Sequence, residues 1–267
     1  MRVHPENFRM KSLPNNNLAY PVLLTVGPKF GSAFLLNGET AQYLVTAGHV
    51  LFDANTGNLI DGKASGLSYG LDLVSPIHHH LDLERLLADG NLRKHKEADV
   101  AVIKVGSVGP VSEDIWTVTF VPGMSRTSAA GNHVVGAPLE GAQKYEDVAI
   151  ANEVFLFGYP RSIGHASSPQ IDPTRPLLRK GIVAGKNDQL KTIIIDCPTY
   201  QGNSGGLVLE VIQVDLYTRR AGLIGVATAF VPFVEEHMSV QYGTTNISIE
   251  NSGYSVVTPM DRVIELI

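Results

Sequence analysis

A histidine, an aspartate and a serine lie in three short segments whose composition suits nucleophilic catalysis. Thr46-Ala47-Gly48-His49-Val50 ends an apolar stretch that starts at Gln42. A histidine at a strand end can reach into a cleft, and an imidazole with a reference pKa of about 6.5 can accept and return a proton in one cycle. In Glu97-Ala98-Asp99-Val100-Ala101-Val102-Ile103-Lys104-Val105 a carboxylate stands at the mouth of a strongly apolar strand. Partly desolvated there, Asp99 needs a hydrogen-bond donor to stay charged, and an imidazole N–H is one. The third segment is Gln201-Gly202-Asn203-Ser204-Gly205-Gly206-Leu207-Val208-Leu209. Its glycines permit a sharp turn with unusual dihedrals, and the N–H groups of Gly202 and Ser204 can converge on one point as an oxyanion hole. Each segment alone also has a plainer reading: a packed or surface histidine, a strand-entry aspartate held by backbone N–H groups, and an ordinary turn.

The elements that must position these groups are short runs rich in Val, Ile, Leu, Thr and Phe, punctuated by 26 Gly and 15 Pro in 267 residues. Expected strands are 20–26, 31–36, 42–46, 100–105, 154–157, 181–184, 192–196, 206–211, 223–229 and 253–257. Helices are scarce. One is expected within 80–94, where Leu83, Leu86 and Leu87 share a face, and one after Pro259, with Thr258 as cap and Asp261 completing a capping box. The stretch 121–147 lacks clear periodicity and reads as a crossing. The expectation is an all-β chain of two six-stranded antiparallel barrels closed by a C-terminal helix. The first lobe spans 1–120 with a helical insertion at about 51–97, the crossing spans 121–149, and the second lobe spans 150–267.

Composition narrows the function classes. With 44% hydrophobic and 18% charged residues the chain can bury a core, and a net charge of −5 gives no global field for nucleic acid or an anionic membrane. A single cysteine, Cys197, excludes an intramolecular disulfide and suits a reducing compartment. No secretory leader pattern and no long apolar run is visible, so a cytoplasmic location is expected. His78-His79-His80 reads as a solvated run beside a helix start, because consecutive residues rarely converge on one tetrahedral metal site. Cys197 reads as an inert core residue. No metal or organic cofactor is expected.

Taken together, the segments around His49, Asp99 and Ser204 resemble the chymotrypsin-like serine proteases in motif and in chain order. Glu153-Val154-Phe155-Leu156-Phe157-Gly158-Tyr159-Pro160 is similar to the opening of the second barrel in bacterial trypsin-like peptidases and high-temperature-requirement proteases. The resemblance implies a peptide-bond hydrolase with Ser204 as nucleophile, His49 as base and then acid, Asp99 orienting the imidazole, and Gly202 and Ser204 supplying the oxyanion hole. It places the primary pocket at Pro198 and Thr199, with Thr228, Ala229 and Phe230 as wall and Gly253 opposite. Nothing there is charged, so a neutral, apolar substrate residue is expected before the scissile bond. Glu235 and Glu236, in the loop expected to follow, would change this if they folded back. Asn203 departs from the digestive members, whose aspartate pairs with a new N-terminus, so activation by that route is not expected. The competing expectation is a gated or inactive protease fold that binds a peptide as an added strand.

Overall fold

The computed structural model describes residues 13, 15–112, 115–128, 131, 133–161, 168–215, 218–239, 241 and 243–267. Ten strands form the first sheet: β1 (Pro21–Val26), β2 (Lys29–Asn37), β3 (Ala41–Thr46), β4 (Lys63–Tyr69), β5 (Pro76–Asp82), β6 (Leu92–Lys94), β7 (Ala101–Ser112), β8 (Ile115–Phe120), β9 (Met124–Ser128) and β10 (Ala137–Pro138). The main path runs β6-β7-β3-β2-β1-β4-β5-β9, with β8 on β7 and β10 parallel to β2. The second lobe is a closed barrel of β11 (Glu153–Gly158), β12 (Leu177–Asn187), β13 (Thr192–Asp196), β14 (Leu207–Gln213), β15 (Arg219–Ser239) and β16 (Thr244–Pro259), ordered β11-β12-β13-β16-β15-β14. Helices are short: α1 (Gly48–Leu51), α2 (Leu83–Ala88) and α3 (Met260–Ile264).

All ten expected strands fall on observed ones, because their β-branched and aromatic side chains fill the sheet interiors. The region 51–97 is not mainly helical. Only α2 is a full helical turn there, capped by the Asp82 carboxylate accepting from the Arg85 N–H, while β4, β5 and β6 together hold nearly three times as many residues as α2. His78-His79-His80 is therefore strand, not a solvated run. Alternation turns His78 and His80 outward and buries His79, whose Nε2 bonds the Ser68 hydroxyl at 2.8 Å. Burial drives the His79 pKa down to about 3, with Arg126 and the two flanking histidines adding to it. Within 121–147, β9 joins β5, so part of that stretch belongs to the first sheet. At α3 the expected capping box does not form. Pro259 is the cap, and the Asp261 carboxylate instead accepts from the Tyr145 N–H at 2.8 Å.

Three cores hold the fold. One fills the first sheet around Leu24, Leu35, Leu44 and Ile103, and one fills the barrel around Leu156, Ile193, Ile195 and Ile224. The third joins the lobes: Phe34, Val45, Val100 and Val102 of the first pack with Phe157, Leu207, Leu209 and the α3 residues Met260 and Val263. Val100 follows Asp99 directly, and Leu207 follows the Ser204 turn by three positions. The shared core thus fixes both segments against each other.

Candidate active site

β3 delivers the chain into the four-residue helix α1, whose second residue is His49. Asp99 immediately precedes Val100 and β7, the strand that pairs β3, so sheet register brings the carboxylate to the imidazole. His49 Nδ1 lies 2.6 Å from Asp99 Oδ2, and the His49 backbone N–H donates to Asp99 Oδ1 at 2.8 Å. Burial works to raise the Asp99 pKa, but the His49 ring, the His49 N–H and Lys94 together outweigh it and hold the group below its ordinary value. With Nδ1–H given to a carboxylate, Nε2 is the ring nitrogen left to act as a base.

The Ser204 turn comes from the other lobe and docks on β2. The Ser204 carbonyl accepts from the Ser32 N–H at 2.8 Å. It also faces Gly31, where a Cβ would stand 3.3 Å from it and 2.7 Å from the Val50 methyls. That narrow gap sets the residues flanking His49 beside Ser204. Gly205 holds φ +88°, and a side chain there would collide with the Ser32 carbonyl, so glycine is required on both counts.

Every peptide plane through this turn is pinned. The Gln201 carbonyl accepts from Arg161 N–H at 2.7 Å, and the Asn203 N–H donates to the Tyr200 carbonyl at 2.9 Å. The Gly202 carbonyl accepts from the Ser32 hydroxyl at 2.7 Å, and that hydroxyl accepts from Tyr159 N–H at 2.9 Å. The Asn203 carbonyl accepts from Gly206 N–H at 2.9 Å, and Gly205 N–H donates to Ala227 at 2.7 Å. Within 202–206 the Gly202 and Ser204 N–H groups have no acceptor among the described residues; that of Gln201, exposed at the start of the turn, has none either. Unpaired N–H groups in a packed turn are uncommon, and two in one turn are free to donate to a bound acceptor. Among the described residues no hydrogen bond joins the Ser204 hydroxyl to the imidazole.

The segments expected to line the primary pocket are stitched together. Cys197 N–H donates to the Gly253 carbonyl at 3.1 Å, and the buried Ser255 hydroxyl bridges the Cys197 carbonyl (2.7 Å) and Thr199 Oγ1 (3.0 Å). Ala229 and Phe230 pair with Val256 and Ser255 on the neighbouring strand. Thr199 and Thr228 are buried, Pro198 and Gly253 half-buried, and Ala229 and Phe230 exposed. Glu235 and Glu236 are not in a loop but in β15, paired with Ser248 and Ile247 and carried away from this cluster. Cys197 is buried, and its thiol pKa is pushed up to about 11 by that burial. Ser32, Tyr159 and Arg161, which hold the turn, carry no sequence signal of their own beyond their places in or beside apolar strands.

A family model for the trypsin-like peptidase domain matches residues 31–213, from β2 through β14, and the chain belongs to that family. No curated protein sequence matches it. Among solved structures it is similar to Deg5, at 15% identity and a TM-score of 0.52 over 94% of this chain and 88% of that one. It is also similar to the thermostable serine protease AL20 from an extremophilic microorganism, at 12% identity and a TM-score of 0.52 over 95% and 96%. A third is the protease Anisep from Arthrobacter nicotinovorans, at 13% identity and a TM-score of 0.50 over 91% of each chain. The likeness is one of fold: mostly β, two sheets with barrel-like curl and a small C-terminal helix, as in trypsin-like serine proteases. Among the described residues no helix is long and apolar enough to cross a membrane.

Proposed function

We propose that the chain is a serine endopeptidase that cleaves peptide bonds through an acyl-enzyme. The pinned turn carries this reading, because among the described residues it leaves the N–H groups of Ser204 and of nearby Gly202 unpaired, in a lobe packed against the one that holds the Asp99–His49 pair. Ser204 Oγ attacks the scissile carbonyl carbon while His49 Nε2 takes the hydroxyl proton, and Asp99 steadies the imidazolium through Nδ1–H. The carbonyl oxygen becomes an oxyanion held by the two free N–H groups. Collapse breaks the C–N bond, His49 protonates the departing amine, and an ester to Ser204 remains. Water then attacks the ester with His49 again as base, and the acid product leaves with Ser204 restored. The substrate residue before the cleaved bond is neutral and apolar, in keeping with the uncharged 197–199, 228–230 and 253 segments.

The gated reading has one observation in its favour, the missing hydrogen bond between Ser204 and His49. Such bonds are often long before substrate binds, and the free N–H pair argues against a blocked hole. Labelling by a fluorophosphonate probe decides between them. Wild type is expected to label and Ser204→Ala not to; a folded wild type that stays unlabelled refutes constitutive activity and favours the gated form.

A further inference from the structure

The hairpin of β15 and β16 is much longer than the barrel it belongs to. β14 covers β15 only from Arg219 to Val226, and at Ala227 the same edge is bonded by Gly205 N–H and the Gly206 carbonyl. Beyond that point, among the described residues, β15 pairs on one side only, with β16, out to Ser239 opposite Thr244. An open strand edge therefore begins at the Ser204 turn and runs from Thr228 to Ser239. We infer that this ribbon is an extended docking strip for the part of a substrate that precedes the scissile bond, which adds to β15 as an antiparallel third strand.

This rests on the peptidase reading above, which fixes where the strip begins. A chain antiparallel to β15 with its reacting carbonyl at Ser204 must send its earlier residues outward along the ribbon. Pairing across the ribbon sorts its side chains onto two faces. Val234 with Ile249, Glu236 with Ile247, and Met238 with Thr245 share one; Phe233 with Glu250, Glu235 with Ser248, and His237 with Asn246 share the other. Apart from Glu236 and Thr245 the first face is apolar, and it is open: Val234 is 57% exposed, Ile249 67%, Ile247 60% and Met238 71%. A lone two-stranded ribbon is marginal in water, and a third strand both fills its edge and extends its apolar face. The fitting occupant is an extended segment with apolar side chains at alternate positions, beside Val234 and Met238. Between them it carries a basic residue beside Glu235, whose face also holds Glu250 and whose carboxylate otherwise meets, among the described residues, only His237, at 3.5 Å and exposed. Pro232 has no N–H and the pairing slips between Phe230 and Pro232, so one rung of the ladder is missing.

The test compares fluorogenic peptides that share the cleaved bond and have about four or about ten residues before it, alternating apolar and basic in the extension. Lengthening is expected to raise kcat/KM about tenfold or more, through added main-chain bonds. N-methylation of the extension's outward amides, or its Lys→Glu change, should remove most of the gain. So should a ribbon-shortened variant in which an Asn-Gly turn replaces 233–250 and joins the paired Pro232 and Asn251, while cleavage of the short peptide persists. If that variant does not fold, the surface pair Val234→Lys and Met238→Lys serves in its place. Equal kcat/KM for short and long peptides, or a gain that survives these changes, overturns the inference and leaves the peptidase reading standing. A ribbon deletion that only converts a dimer to a monomer in light scattering also overturns it, in favour of self-association. If neither peptide is cleaved and the fluorophosphonate does not label, the peptidase reading fails. Fluorescence anisotropy of the dye-labelled long peptide, wild type against the ribbon variants, then still decides whether the strip binds.

Discussion

Ser32→Ala is the most direct test of the pinned turn. Ser32 is fully buried in β2, and its hydroxyl donates to the Gly202 carbonyl at 2.7 Å while accepting from Tyr159 N–H at 2.9 Å. Alanine keeps the Ser32 backbone bonds to Ser204 and Thr46 but leaves a buried carbonyl and a buried N–H without partners. Each orphan costs about 1–3 kcal/mol, so a loss of about 3 kcal/mol is expected after relaxation. For a chain of this size that is a fall in Tm of about 6–12 °C by calorimetry. The Gly202–Asn203 peptide, beside the two proposed oxyanion donors, would also be held by the Asn203 N–H bond to Tyr200 alone. Loss of one such donor costs about 100-fold or more in kcat, so a loosened one should cost about 10–100-fold with KM little changed. A Tm that falls as worked while kcat stays at the wild-type value makes the bond purely structural and refutes its role in the turn. If neither changes, the accounting of the turn is wrong.

Asp99→Asn should keep the fold and KM but lower kcat/KM by about 10⁴-fold, because an amide presents the wrong partner to Nδ1; a loss under about tenfold excludes the assigned role. A peptide-library digest should yield cuts after neutral, apolar residues, and cuts concentrated after Arg, Lys or Glu would refute the uncharged pocket. Glu210, fully buried in β14, accepts from Gln143 (3.0 Å), Ala149 N–H (3.1 Å) and Asn152 (2.6 Å). Glu210→Ala should cost about 3 kcal/mol or more in urea titrations, with Glu210→Gln recovering part of it, and equal midpoints would refute the network. His79 stays neutral in the fold down to about pH 3, whereas the unfolded chain binds that proton below its ordinary value of 6.5. Stability should therefore fall with pH between those two values, at up to about 1.4 kcal/mol per pH unit, and His79→Gln should flatten that slope; identical slopes would refute it.

The parts of the fold legible in the sequence are those whose residues carry their own reason for being there. Val-Leu-Leu in β1, Val-Ile-Lys-Val in β7 and Ile-Ile-Ile in β13 are strands because their side chains fill sheet interiors. Lys63–Tyr69, Pro76–Asp82 and Met124–Ser128 are polar and of modest strand propensity, and become strands because each pairs with a neighbour. The histidine run misled for the same reason, since only the pairing of β4 with β5 decides which of the three turns inward. At the candidate site, the sequence singled out His49, Asp99 and Ser204 because their chemistry is rare and their local contexts distinctive, and the structure brings His49 and Asp99 into contact. Ser32 was not: it looks like filler in Gly-Ser-Ala-Phe, and its partner Gly202 lies 170 positions away. Alternation in Thr-Asn-Ile-Ser-Ile-Glu, within β16, could have exposed the ribbon, but nothing local says that it stands clear of the barrel.

The way the two halves meet constrains how such a molecule can be controlled. Asp99 and His49 belong to the first sheet and Ser204 to the barrel, yet they are not joined across a hinge. Phe34, Val45 and Val100 share one core with Phe157, Leu207 and Met260, and Ser32 of the first sheet ties the turn of the second. Moving the lobes apart far enough to separate His49 from Ser204 would open that core and break those bonds together, at a cost comparable to the stability of a whole domain. Control by lobe movement is therefore expensive. The edge of β15 beyond Ala227 has no such ties among the described residues, so on the proposed docking of substrate there, selectivity and regulation would act more cheaply along that edge than through the lobes.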